Sequence, residues 1–168
     1  MSAGGWAYAG YLAWLAAGRL DFVQHRRTDL AHTSGLRESG WHAVQIGLLG
    51  GGVLAWLALA PGLGLMAGLS LLAAAHALAG YLDTRTAFGR RTIPPLEQHV
   101  HSVLDMAPWI ALTGVVLVQG EQAREAGWPL AWDPARPVLW LALLLPALLL
   151  CVLPWLGEYR AALRAQRG

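Results

Sequence analysis

Five apolar runs of about twenty residues divide the chain, at roughly 4–20, 41–60, 63–82, 99–119 and 137–157. Each is long enough, as an α-helix, to cross a hydrocarbon core about 30 Å thick. The connections between them alternate in character. The second is little more than "PGLG" (61–64), a tight turn, and the fourth is the longer "QGEQAREAGWPLAWDPARP". Trp128 and Trp132 in that fourth connection suit an interfacial aromatic belt. Little chain is left for a soluble domain, so residues 1–168 are expected to form one all-α integral membrane domain of five transmembrane helices.

Polar residues interrupt the runs at helical spacing. Positions four apart share a helix face, and positions seven apart nearly eclipse two turns away. Asp21 and His25 fit the first relation at the end of span one. Glu38 and His42 fit it at the start of span two, with Gln45 continuing the face before Leu49 ends it. His76 and Asp83 fit the second relation in span three, with Gly80 between them, and Glu97, His101 and Asp105 make successive steps on span four. Four helices thus offer carboxylate and imidazole near one membrane depth, which predicts a four-helix bundle with a polar centre. Span five, "VLWLALLLPALLLCVLPWLGEY", has only Glu158 at its end and reads as a lipid-facing support.

The order is also repeated. Asp21, "HRRT" (25–28) and Glu38-x3-His42 are followed by Asp83, "GRRT" (89–92) and Glu97-x3-His101. This suggests an internal helix-pair duplication. The two halves would have the same membrane orientation, related by an axis along the membrane normal.

Charge adds a direction. The chain is 56% hydrophobic and 13% charged, and all 12 basic residues are Arg, so Schiff-base and P-loop lysine chemistry are excluded. With five spans, Arg124 and Arg136 fall on one side and the other arginines on the opposite side. The positive-inside rule then puts the N-terminus outside and the C-terminus in the cytoplasm, in a membrane of the bacterial inner-membrane type. The start, "MSAGGWAYAGYLAWLAAG", has no basic residue before its apolar run, which favours a retained first span over a cleaved signal peptide. All six histidines belong to the cytoplasmic connections or the spans flanking them. The single Cys151 rules out disulfides within the chain and multi-cysteine zinc sites.

Ionisable groups at membrane depth are costly and usually face the bundle interior, paired or bound to something. Clustered imidazoles and carboxylates suit Zn, Mn or Fe. The candidate ligands are His25, Glu38, His42, His76, Asp83, Glu97, His101 and Asp105, with Asp21, His32, Gln45 and His99 as supporting groups beside them. Pro94 and Pro95 suit the start of span four, placing Glu97 in a first turn where the helix dipole favours an anion. Arg26, Arg27, Arg90 and Arg91 are candidates for holding an anionic lipid headgroup. Their simplest role is as membrane anchors.

Glu and His from several helices of a bundle resemble the carboxylate di-iron proteins. Histidines gathered at the cytoplasmic ends of membrane helices also resemble the integral-membrane di-iron hydroxylases and desaturases. The chain departs from both. It lacks HxxHH boxes, and its Glu-x3-His steps stand where the soluble proteins have Glu-x-x-His. The resemblance implies a di-metal oxidoreductase, iron preferred over zinc, acting on a lipid or other apolar substrate at the cytoplasmic face, with a redox partner protein. Two other readings stay open. One is a zinc-dependent membrane hydrolase, in which a bound water is activated. The other is a non-enzymatic b-type haem carrier with His42 and His101 as axial ligands. Membrane lipid is an expected partner and nucleic acid is not.

Overall fold

The computed structural model describes residues 2–167 and is built from α-helices. These are α1 (Ala3–Arg27), α2 (Gly35–Ala58), α3 (Leu63–Ala87), α4 (Pro95–Ala126), α5 (Pro137–Ala147) and α6 (Leu153–Ala165). A π turn over Leu148–Val152 joins α5 to α6 as one bent rod. Four rods, Gly35–Ala58, Leu63–Ala87, Pro95–Ala126 and Pro137–Ala165, are long and apolar enough to cross a membrane. At 25 residues α1 matches them in length. Its last turns carry Arg19, Asp21, Gln24, His25, Arg26 and Arg27, which lower its hydropathy. The expected all-α membrane architecture is what the chain forms.

Two helices start earlier than their apolar runs. α2 begins at Gly35, not near 41, and α4 extends over Pro95–Ala126, beyond 99–119 at both ends. The first turns are polar because they are covered by other helices and not by lipid. Glu38 and Glu97 therefore occupy first turns, where exposed helix N–H groups favour a negative charge. As the sequence predicts, Pro95 sits inside the start of α4, where a missing N–H costs nothing.

The apolar part of the fifth span has the outward-facing surface expected of a support, with no buried residue over 137–152, but the span does more than that. Pro146 cannot donate to the carbonyl four residues before it, and its ring strains the helix there. The Tyr8 hydroxyl donates to the released Ala142 carbonyl at 3.1 Å, and the Tyr11 hydroxyl donates to that of Leu143 at 2.6 Å. An unpaired carbonyl in hydrocarbon would cost several kcal/mol, so these bonds fasten α1 to the bend. Beyond the π turn, α6 lies against α2, and Trp155 Nε1 donates to the Ser39 carbonyl at 2.9 Å. Glu158 is thereby carried into the interior.

At the opposite end the connection 127–136 folds back over the ends of α2 and α3. Asp133 N and Ala135 N donate to the Ala58 and Leu57 carbonyls at 3.0 and 2.7 Å, and Leu63 N donates to the Gly127 carbonyl at 2.8 Å. Leu59 and Trp132 form an isolated antiparallel bridge. The loop runs so close to α3 that a β-carbon at Gly64 would collide with the Trp128 carbonyl.

Candidate metal centre

Around the first turns of α2 and α4 lies a buried cluster of three imidazoles, five carboxylates and one guanidinium. Among the described residues, three overlapping groups have potential ligand atoms within 4.8 Å of one another: Asp21, His25, Glu97 and His101; His25, His42 and Glu158; and Glu38, His42 and Asp83. His25, Glu38 and Glu97 are fully buried. These His, Asp and Glu groups could hold a metal ion.

The spacing of these groups is compatible with a ligand set as well as with ion pairs. Nε2 of His25 stands 3.3 Å from Asp21 Oδ2 and 3.6 Å from Glu97 Oε1. Nε2 of His42 stands 3.3 Å from Asp83 Oδ2, and Nε2 of His101 stands 3.1 Å from Asp21 Oδ1. Among the described residues none of these three nitrogens has a hydrogen-bond partner, and neither do Asp21 Oδ1, Asp83 Oδ1 or Glu97 Oε2. Ligands about 2.1 Å from one ion stand about 3.0–3.5 Å apart in octahedral or tetrahedral geometry. The atoms have that spacing, which would allow them to face a common ion. Buried polar groups without partners are otherwise rare.

Glu158 explains the orientation of two of the rings. Its Oε2 lies 2.8 Å from His25 Nδ1 and its Oε1 lies 2.7 Å from His42 Nδ1. An ionised carboxylate only accepts, so both Nδ1 atoms donate, and in the neutral imidazoles both Nε2 atoms keep their lone pairs. The two rings stack with centroids 4.6 Å apart and planes 2° from parallel. A carboxylate behind the ring fixes tautomer and direction in many metal-binding histidines. Glu158→Gln is expected to keep the bundle folded while lowering metal affinity about 10–100-fold, as found for such supporting groups. Metal content after a graded chelator challenge measures this; unchanged retention would mean that Glu158 has only a packing role.

Arg91 is the largest departure from expectation. It is not a headgroup ligand but lies at the centre of the cluster, 1% exposed. Nε donates to both Glu38 oxygens at 3.1 Å and Nη1 donates to Thr28 Oγ1 at 3.0 Å. Nη2 bonds Glu38 and lies in ion-pair contact with Glu97. Burial alone would favour loss of its proton, but the two glutamates more than reverse this and hold the guanidinium above the ordinary arginine range. By formal count, with the imidazoles neutral, five carboxylates against one guanidinium carry four negative charges, the charge that two divalent cations would balance.

The repeat noted in the sequence has a counterpart in the contacts. Asp21 of the first half meets His101 of the second, and Asp83 of the second meets His42 of the first. α1 packs on α4 as α3 packs on α2. Glu38 and Glu97, equivalent in the repeat, share Arg91. A two-fold relation between the halves requires these crossed pairings. His25 and Glu158 have no equivalents and make the two sides unequal.

The other predicted residues fall both inside and outside the cluster. Asp21, expected beside the ligands, belongs to one of the three groups that could hold metal. His76 is buried and lines a cavity next to the cluster, outside the three groups. Asp105 is also outside them, at the cavity edge against Gly80, where a β-carbon would come within 2.8 Å of its Oδ1. Gln45 supports the cluster by donating to Asp83 Oδ2 at 3.3 Å. His32 is exposed and bonds only Asp29, and His99 is exposed, so neither supports the cluster. Arg26 and Arg27 turn back on α1, their side chains reaching the Phe22 carbonyl and Gln24. Arg90 lines a shallow cleft with Arg37, Trp41 and Arg85.

The cavity beside the cluster has a volume of about 250 Å³. Its floor includes Asp21, His42, Asp83 and His101, and its walls are apolar, among them Leu49, Val53 and Leu144. Leu54 and Leu148 line it and are also exposed at the surface, so it opens between α2 and the bend of the fifth rod.

Comparison of the chain with protein-family models, characterised proteins and solved structures finds no match.

Proposed function

We propose that this membrane protein binds two divalent metal ions in the cluster and acts on an apolar molecule that enters the adjoining cavity from the bilayer. The observation that carries the reading is the convergence of unpartnered imidazole and carboxylate atoms in groups that share His25 and His42. One ion would be held by Asp21, His25, Glu97 and His101, and the other by Glu38, His42 and Asp83. Glu158 would fix the His25 and His42 rings, and Arg91 would hold Glu38 and Glu97 in place. The donors are hard oxygens and borderline nitrogens with no thiolate, a set suited to iron or manganese. A pair of such redox-active ions supplies electron transfer that the side chains here cannot, which is the basis for assigning an oxidoreductase, resembling the membrane di-iron hydroxylases in type, with electrons from a partner protein.

The zinc hydrolase reading calls for three imidazoles on one ion. Here His42 Nε2 faces Asp83 while His101 Nε2 faces Asp21, in separate groups. Haem is also a poorer fit, because both of those nitrogens look onto carboxylates and not into a slot for a macrocycle. Elemental analysis of protein purified without added metal tests the reading, and about two iron or manganese ions per chain are expected. Protein that is free of metal, and takes none up, overturns it.

The arginine distribution orients the protein with the cluster on the cytoplasmic side. A reporter joined after residue 168 is expected to read cytoplasmic, and one inserted in 127–136 to read external. The reverse pattern would put the cluster outside and remove the cytoplasmic electron source.

A further inference from the structure

Along α2 the cavity runs from His42 to Leu54, about 18 Å at about 1.5 Å per residue. That is close to the depth of one leaflet, about half of a 30 Å hydrocarbon core. Its walls above the cluster are mostly apolar, and the polar side chains among them include Tyr11, whose hydroxyl bonds the Leu143 carbonyl, Gln45, which bonds Asp83, Asp105 at the edge, and His76. His76, 2% exposed, projects from α3 and lines the cavity, and its Nδ1 has no hydrogen-bond partner among the described residues. It stands seven residues before Asp83, about 10 Å along the helix. The imidazole is thus too far up the bundle to join the groups that could hold metal. No carboxylate pairs with it among the described residues.

An apolar cavity that needed only to accept hydrocarbon would be better lined by leucine at this position. Burying an imidazole without a partner is unfavourable, and a ligand that supplied one would recover that cost. The site has room for it. A β-carbon at Gly50, on the α2 wall, would meet nothing within 4 Å.

We propose that the cavity binds a long-chain molecule bearing an interior oxygen function, a hydroxyl or carbonyl, which hydrogen-bonds His76 while the chain fills the space between α2 and the bend of the fifth rod. This rests on the proposed function for what happens at the cluster, but not for binding itself. His76 is then a specificity-determining residue. It selects an oxygenated chain over a plain hydrocarbon and holds it at a fixed depth above the cluster.

Two probes of equal length, hexadecane and hexadecan-8-one, separate the possibilities. The measurement is their partition into nanodiscs with the protein and into protein-free nanodiscs, using the full chain and recording metal content alongside. The wild type is expected to favour the ketone about 3–10-fold, the gain from one buried hydrogen bond. His76→Leu should lose that preference and bind hexadecane as before, and His76→Gln should keep part of it. Gly50→Phe should reduce binding of both probes. Equal binding of ketone and alkane by the wild type would overturn the proposal. So would equal loss of both probes in His76→Leu, or unchanged binding of both in Gly50→Phe. Metal content separates the two readings: a wild type without metal that still prefers the ketone defeats the di-metal reading alone, and a metal-loaded wild type without preference defeats this one alone.

Discussion

His101→Ala is expected to strip most of the metal from the purified protein, whereas His76→Ala should leave it nearly unchanged. His101 Nε2 faces Asp21 Oδ1 at 3.1 Å and Glu97 Oε1 at 4.0 Å, and it has no hydrogen-bond partner to lose. If the cluster were a set of structural ion pairs, removing this imidazole would leave carboxylates that can take up protons, and the effect would be small. In a ligand set the loss removes a donor directly. It should exceed the roughly 10–100-fold typical of groups that only support a ligand. His76 lies outside the three groups, so its removal tests position and not merely histidine content. The readout is metal per chain after chelator challenge, with thermal unfolding of both variants in detergent alongside. Equal metal in wild type and His101→Ala would leave a charged structural bundle. Equal loss in both variants would mean that His76 is a ligand after all.

The second large effect is expected at Arg91. Arg91→Met leaves Glu38 and Glu97 buried without their cation, and breaking a buried pair in this way costs about 3–5 kcal/mol. The destabilisation should be largest after metal removal and smaller in metal-loaded protein, because the ions would neutralise the same carboxylates. Lys should not restore it, since the guanidinium reaches Glu38, Glu97 and Thr28 at once through different nitrogens. Thermal unfolding with and without chelator measures the difference. A melting temperature that responds equally to Arg91→Met in both conditions would separate Arg91 from the metal site.

Much of the cluster is legible in the sequence because helical spacing is local. Glu38–His42 and Glu97–His101 are each one turn apart on one helix, and the structure uses both pairs. Longer extrapolation along a face fails for a geometric reason. A step of four residues advances about 400°, so two steps from Glu97 leave Asp105 turned about 80° away, towards Gly80. His76 and Asp83 do nearly share a face, but a rise of about 10 Å separates them, and alignment alone does not bring His76 down to the cluster. Arg91 could not be told from Arg90, because nothing local says which of two adjacent arginines points inwards. Glu158 was hidden most thoroughly. It comes after a long apolar run with a proline at its middle, and a π turn adds a residue to the helix, rotating the downstream segment by about 100°. Its role depends on contacts with α1 and α2 made more than a hundred residues away in sequence.

The loop folded over the ends of α2 and α3 bears on permeability. A bundle that buries this many ionisable side chains is at risk of conducting protons, since water entering from both faces would need only a few bridges to link them. Residues 127–136 lie across the end that one of the two entrances would use. Their backbone groups take up the Leu57 and Ala58 carbonyls, which would otherwise attract water to that face. Below them lies the hydrocarbon-lined stretch between Leu49 and Leu54. Water reaching the cluster would then have to come from the cluster's own side, an arrangement that would let a dense set of ionisable groups lie in a bilayer without forming a leak.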